Sequence, residues 1–547
     1  MIYYARDFGI VPERQVGAEI STALEKMSAI DGEKTLIFEK GVYYIDANSC
    51  KGKMLYITNT VGDKEFKDGE TPHYNKIAFN FQNIKDLTVQ GNGAEFIIDG
   101  RVTNVAVENC ENLTIDGISI DVKNPHLHEF TVERVKPFSV VFSLDNMSEY
   151  EKENKGFVFT GKDYRENFYA DRAFGWWTGL IKAGDINHVE RTRHPFAGAF
   201  NIREIGNRKF KLNFLSTKRF SQGDKYYVFN TRRQYAGVFV NRSKNFTLKN
   251  FSQRFNYSLA IVCQDTENIT IDSVDLSPSK SSGRLICSLA DFIQICCCKG
   301  KVSVTNSYFC GACDDAINVH GIHMYIDEVK ENKLILSFRH PQTHGFNPFH
   351  EGDEIEYVDR HTLECKGKAK ILESRLISEH KIEMTVDSSS AAQAGMAVED
   401  VTMCPEFYYK NNTLDRIITR NILVTTRNKV LIENNKFLNS TMACILLSDD
   451  AKSWYESGPC HDVEIKNNYF GTCRSHFVQV LPENAGNKNT VHKNIKITGN
   501  TFDSQFDKGI SIKCAENVVI KDNVIKNSNV RDSFVTFTDS KNIVNEF

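Results

Sequence analysis

At 547 residues and 62.2 kDa the chain exceeds one ordinary core, because compact domains usually hold about 100–200 residues and length alone suggests about three. A hydrophobic share of 41% with 25% charged residues excludes a disordered chain, and Lys+Arg 67 against Asp+Glu 70, net −3, argues against a nucleic-acid binder with a basic stripe. No run of about 18 apolar residues occurs, so no membrane span is read.

The N-terminus, Met1 to Gly9, has neither a basic n-region nor an apolar h-region. No secretory signal is read there, and a cytoplasmic location is expected unless a leader has been removed. The one good helical stretch spans 18–30, just before the alternating run 35–45. Then a short phrase begins to recur, a period-2 strand ended by a residue that tolerates left-handed backbone angles. Its copies start with Asp86-Leu-Thr-Val-Gln-Gly91 and Asn112-Leu-Thr-Ile-Asp-Gly117. It returns as Lys244-Asn-Phe-Thr-Leu-Lys-Asn250, Glu267-Asn-Ile-Thr-Ile-Asp-Ser273 and Gly300-Lys-Val-Ser-Val-Thr-Asn306. The last copies are Lys429-Val-Leu-Ile-Glu-Asn-Asn435, Asp462-Val-Glu-Ile-Lys-Asn-Asn468, Asn494-Ile-Lys-Ile-Thr-Gly-Asn500 and Asn517-Val-Val-Ile-Lys-Asp-Asn523. Steps of 23, 32 and 33 residues between equivalent positions suit the coils of a parallel β-helix, each stacked on the last at about 4.8 Å. The expected fold is therefore all-β: a right-handed parallel β-helix plugged at its open end by the N-terminal helix, with Asn ladders in the turns.

Two stretches break the rhythm, about 126–235 and about 325–400, and they share an echo: Phe220-Ser-Gln-Gly-Asp-Lys-Tyr-Tyr-Val228 and Phe349-His-Glu-Gly-Asp-Glu-Ile-Glu-Tyr-Val358. They are expected to be two small inserted β modules, barrel-like in design; the alternative is long decorated turns. The organisation expected is a cap with first coils over 1–125, module 1 over 126–235 and central coils over 236–324. Module 2 follows over 325–400 and the last coils over 401–547. In module 1, Trp176 and Trp177 either fill the core or line an outer subsite. Fifteen cysteines, three of them consecutive (Cys296, Cys297, Cys298), do not suit a disulfide framework, and Cys310 with Cys313 is a lone CxxC. Reduced thiols buried in a stacked core are expected.

The chemistry concentrates in two adjacent coils. Cys310-Gly-Ala-Cys-Asp314-Asp315-Ala-Ile-Asn318-Val-His320-Gly321 follows Ala290-Asp291-Phe-Ile-Gln294-Ile-Cys296 by a step of 24. In that register Ile293 meets Ile317, Gln294 meets Asn318, Cys296 meets His320 and Asp291 lies beside Asp315, with Asp314 at the turn. Three carboxylates then share the outer face with Asn318 and His320. Cleaving a glycosidic bond needs an acid for the leaving oxygen and a second group on the opposite face of the sugar. The water-activating pair of an inverting enzyme leaves about 6.5–9.5 Å between its carboxyls, a retaining pair about 5–5.5 Å. On this reading Asp291 and Asp315 jointly hold a water and Asp314 serves as acid. Aspartates in β-helix turns also cap backbone or bind a cation. A calcium-dependent lyase would want six to eight oxygens and a basic neighbour, and these strands carry no Lys or Arg.

These motifs resemble glycoside hydrolase family 110, the alpha-1,3-galactosidases. The resemblance rests on Asp314 to Gly321 with Ala290-Asp291 a coil before, and on Arg339-His-Pro-Gln-Thr-His-Gly-Phe-Asn-Pro-Phe-His-Glu-Gly-Asp353. It also rests on Asn434-Asn-Lys-Phe437 with Ser448-Asp-Asp-Ala-Lys-Ser-Trp454-Tyr-Glu456-Ser-Gly458, and it runs from Asp7 to about 530. It implies an inverting exo-hydrolase that removes terminal alpha-1,3-linked galactose from blood-group-B type or linear glycans, without metal or cofactor. Asp314 is then the acid, and Asp291 and Asp315 activate water. Gln294 departs from the His expected of the family, and it can donate to a sugar hydroxyl but cannot carry a proton. Substrate contacts are expected from Arg284, Gln294, Asn318, His320, Asp450, Trp454 and Glu456, since rings suit the sugar's apolar face and polar groups its hydroxyls. The expected partner is a carbohydrate with terminal alpha-galactose; nucleic acid and membrane are not expected. A homo-oligomer stays open, because long parallel β-helices often pair by flat faces. The competing expectations are a polygalacturonase-like hydrolase, which would want Lys and Arg around the site, and a non-catalytic glycan-binding β-helix.

Overall fold

A computed structural model describes residues 1–60, 62, 71–153, 156–167, 177–185, 189–229, 232–484, 486–503, 508–526 and 534–547. The recurring phrases form the coils of a parallel β-helix. At equivalent positions Leu87, Leu113, Phe246, Ile269, Val302, Phe407, Val430, Val463, Ile495 and Val518 pair in succession along one wall. All are buried, forming a continuous inner column. Each such side chain adds about 1.5–3 kcal/mol by leaving water. The same column shows where the chain departs and returns: Leu113 pairs directly with Phe246, and Val302 with Phe407.

The turns explain the ends of the phrases. Asn250, Ser273 and Asn306 end theirs at φ of 48°, 54° and 53°, while in two later copies the left-handed residue is the one before the last, Asn434 and Asn467 at 57° and 56°. One residue on from Asn434 and Asn467, Asn435 and Asn468 join a buried ladder with Asn412, Asn500 and Asn523. In it each backbone N–H donates to the side-chain oxygen of the next Asn at 2.9 Å. Phe437, Phe470 and Phe502 stack beside it with ring centroids 4.9 Å apart, the coil repeat itself.

The helix Gly17–Ser28 buries Ile20, Ala23, Leu24 and Met27 against the first coils, so the cap expected at 18–30 is present. Module 1 carries an antiparallel sheet of seven strands, from Val189–Arg191 through Trp177–Ile181, Lys225–Phe229, His128–Lys136, Ser139–Leu144 and Lys209–Asn213 to Asn201–Gly206. Module 2 is a closed barrel of six strands: Met324–Lys330, Lys333–Ser337, Lys381–Val386, Cys365–Ser378, Glu354–Val358 and Ala397–Asp400. Trp177 is not in a core; its ring is 39% exposed and carries the Arg191 guanidinium 4.1 Å from its centroid. Trp176 lies outside the described residues.

Both modules pack on the coils that bear the aspartates. Module 2 shares an apolar cluster with Cys296, Cys297 and Ile322. Tyr227 and Phe229 of module 1 share one with Leu285, Leu289 and Cys313. All fifteen cysteines are free, and thirteen are buried. Among the described residues no helix is long and apolar enough to cross a membrane.

Candidate active site

Strand pairing sets the carboxylates. Ile293 pairs with Ile317, Gln294 with Asn318, Ile295 with Val319 and Cys296 with His320. Just before these strands, Phe292 N donates to Asp315 O at 3.0 Å and Ala260 N to Asp291 O at 2.9 Å, so Asp291 and Asp315 lie one coil apart. Phe292 and Ala316, which follow them, turn into the core.

Each aspartate has a different environment. Asp315 is buried and fully engaged: Oδ1 accepts from Thr419 Oγ1 at 2.5 Å and from Arg420 N and Nε at 2.9 Å, and Oδ2 faces Arg420 Nη2 at 2.8 Å. Burial raises its proton affinity, while Arg420 and Thr419 hold it back. Asp314 is the more open, with its side chain 18% exposed, and pairs with Arg233. The Asp291 carboxyl has no hydrogen-bond partner among the described residues, although it is 6% exposed. Burial, then the charges of Asp314 and Asp315, push its pKa well above the usual carboxylate range; Arg233 opposes them. Three carboxyls thus share two guanidiniums, and burial beside two other carboxylates favours the protonated form of Asp291.

A polar network continues from the trio. Glu456 arrives on the short strand Glu456–Ser457, which pairs antiparallel with Gly321 and Ile322. A Cβ at Gly321 would lie 2.5 Å from Ser457 Oγ, so a side chain there would force that hydroxyl to turn away. Glu456 Oε1 accepts from Asn318 Nδ2 at 3.1 Å and Asn59 Nδ2 at 3.2 Å, and stands 3.7 Å from His320 Nε2. His320 Nδ1 donates to Gly321 O at 2.7 Å, and Gln294 Nε2 donates to His320 Nε2 at 2.5 Å. Burial works against the charged ring, but Glu456 and Cys296 outweigh it and raise its pKa. Two buried amide oxygens, Gln294 Oε1 and Asn318 Oδ1, have no partner among the described residues. Such acceptors invite a hydroxyl or a water.

Beside this network lies a narrow pocket lined by His320, Phe338, His340, Thr343, Trp454 and Glu456. Trp454 is 45% exposed and stacks on His340 with centroids 4.3 Å apart at 25°. Asp450 makes the turn that presents it, accepting from the backbone N–H groups of Lys452 at 2.7 Å, Ser453 at 2.9 Å and Trp454 at 2.6 Å.

Thus Asp291, Asp314, Asp315, Gln294, Asn318, His320 and Glu456 meet, and Trp454 borders the same site. Asp450 is corrected from a substrate contact to a support, since its oxygens are occupied by the turn. Arg284 is also corrected. Its Nη2 grips both oxygens of Asp121 at 2.8 and 2.9 Å, with only 1% of its side chain exposed, and it makes no hydrogen bond to the network. Arg233, Arg420, Thr419, Asn59 and His340 were not anticipated. The expectation of no basic neighbour holds for the two strands alone, because both arginines come from elsewhere in the chain.

Residues 333–401 match the family described as GLAA-B beta-barrel domain II, and 401–546 match the right handed beta helix region, which gives the coil its hand. An alpha-1,3-galactosidase A of Bacteroides thetaiotaomicron is 33% identical over 95% of this chain and 91% of its own. One of Akkermansia muciniphila is 31% identical over 80% and 73%. An alpha-1,3-galactosidase B of Phocaeicola vulgatus is 26% identical over 95% and 89%.

Proposed function

The chain belongs to the alpha-1,3-galactosidase family, and from that premise we propose that it is an inverting exo-alpha-galactosidase of glycoside hydrolase family 110. Its substrates are glycans ending in alpha-1,3-linked galactose, of blood-group-B type or linear. The observation that carries this is the trio of aspartates held by two arginines, in surroundings that favour a proton on Asp291. An inverting hydrolase needs that charge state, one carboxyl protonated and another ionised.

In the proposed cycle galactose enters against Trp454, and its hydroxyls take up the free oxygens of Gln294 and Asn318. The sugar draws Arg233 from Asp314, and the proton kept at Asp291 passes to Asp314, the most accessible of the three. Asp291 and Asp315 are then ionised around a water. That water attacks the anomeric carbon and gives its proton to the pair, while Asp314 protonates the departing glycosidic oxygen as the C–O bond breaks. Arg420 and Thr419 keep Asp315 oriented throughout. Arg420 stays engaged by Asp315, which leaves it unavailable to a uronate and disfavours a polygalacturonase.

Asp314→Asn tests the assignment. Turnover is expected to vanish while galactose binding survives, and retained turnover refutes the acid role. Released galactose across branched B-type, linear alpha-1,3, alpha-1,4 and alpha-1,6 substrates tests the linkage, with the first two expected to react.

A further inference from the structure

Module 1 ends in a tip whose composition is unlike the rest of the chain. In Ser139–Leu144, Lys209–Asn213 and Asn201–Gly206 the first residues of two strands and the last of the third pair across the sheet, Ser139 with Asn213 and Asn201 with Asn213. Just beyond them Phe214 N donates to Phe138 O and Phe200 N to Asn213 O, both at 3.0 Å. Phe138, Phe200 and Leu215 are therefore neighbours, and they are 66%, 62% and 87% exposed. Single exposed apolar residues are ordinary, but three gathered at one tip are a patch that folding did not bury.

The charge beside the tip is predominantly basic. Segments 134–144, 193–203 and 209–223 carry eight Lys and Arg and no Asp or Glu, with Glu133, Asp145, Glu204 and Asp224 just outside them, in a chain whose net charge is −3. Among the described residues Lys136, Arg203, Lys211 and Lys218 form no ion pair. The nearest carboxylate in sequence, Glu204, is taken by Lys152 and Tyr150 at 2.7 Å. Aromatic and aliphatic residues projecting from a ring of lysines match an anionic bilayer: the rings enter the acyl boundary and the cations meet the headgroups.

We propose that this tip docks the protein on the surface of an anionic lipid bilayer. Absence of a spanning run excludes only a chain that crosses the bilayer, so it does not bear on a tip that lies on one. The surface is distinct from the aspartate site, none of whose residues lies in these three segments.

The test is sedimentation of the full chain with vesicles of phosphatidylcholine alone and with about one third phosphatidylglycerol. Binding is expected only to the anionic vesicles and is released by salt. Phe138→Ser/Phe200→Ser/Leu215→Ser and Lys136→Glu/Lys211→Glu/Lys218→Glu should each lower the bound fraction about ten-fold. Their thermal midpoints should stay at the parent value, because the replaced side chains lie at the surface. Failure of the parent chain to bind anionic vesicles overturns the proposal, and so does unchanged binding by the apolar triple variant. Capture by dextran sulfate of parent and apolar variant alike, with no vesicle binding, would identify a polyanion site instead and also overturn it.

Discussion

Glu129 reaches from the module 1 strand His128–Lys136 to the coil that leads into Asp291, and replacing it by Gln gives a signed stability change. Its Oε1 accepts from the backbone N–H groups of Leu285 at 2.8 Å and Ile286 at 3.2 Å. Burial, against the pull of those two bonds, moves its pKa from 4.5 to about 7. Between those values the folded chain binds a proton that the unfolded chain releases, so stability falls as pH rises through the window. At 1.36 kcal/mol for each pH unit, about 3 kcal/mol is lost by the upper end. Gln keeps a carbonyl oxygen for the two amides and has no charge to bury. Glu129→Gln should therefore match the parent near pH 5 and exceed it by up to about 3 kcal/mol at pH 8. Thermal midpoints of both proteins measured across that range check this, with the gap widening as pH rises. A gap that does not change with pH, or a variant less stable at pH 8, would refute the reasoning.

Arg233 is a charge that lowers the proton affinity of Asp291, so Arg233→Ala should move the basic limb of the kcat/KM profile, where the essential proton is lost, to higher pH. Arg233→Lys should restore part of the shift; an unmoved limb with lower activity would leave Arg233 a purely structural role. Trp454→Ala should raise KM about ten-fold with kcat within about two-fold, and steady-state kinetics on a galactosyl disaccharide separates the two. Asn468→Ala removes the oxygen that receives Asn435 N at 2.9 Å and Asn435 Nδ2 at 3.0 Å, so unfolding should become easier by about 1–3 kcal/mol with the catalytic pH profile unchanged.

Much of this architecture was legible because a β-helix repeats the same local problem in every coil. Period-2 strands and left-handed Asn turns announce themselves within a few residues, and the step of 24 that places Asp291 beside Asp315 needs only two neighbouring coils. The partners that complete the site were not legible. Arg233 sits at the end of module 1, 81 residues before Asp314, and Arg420 is 105 residues past Asp315 because module 2 intervenes between neighbouring coils. Asn59 is 397 residues from Glu456. Proximity in sequence misled at Arg284, which lies seven residues before Asp291 but turns back to Asp121, 163 residues away. Asp450 misled differently: an aspartate two residues before a turn is first of all an acceptor for that turn's amides.

The stereochemistry of the first product tests the central claim most directly. Proton NMR of the full chain acting on a linear alpha-1,3-galactosyl disaccharide should show beta-galactose before mutarotation builds the alpha anomer. Alpha-galactose appearing first would contradict a water held by Asp291 and Asp315, and with it the roles given to all three aspartates.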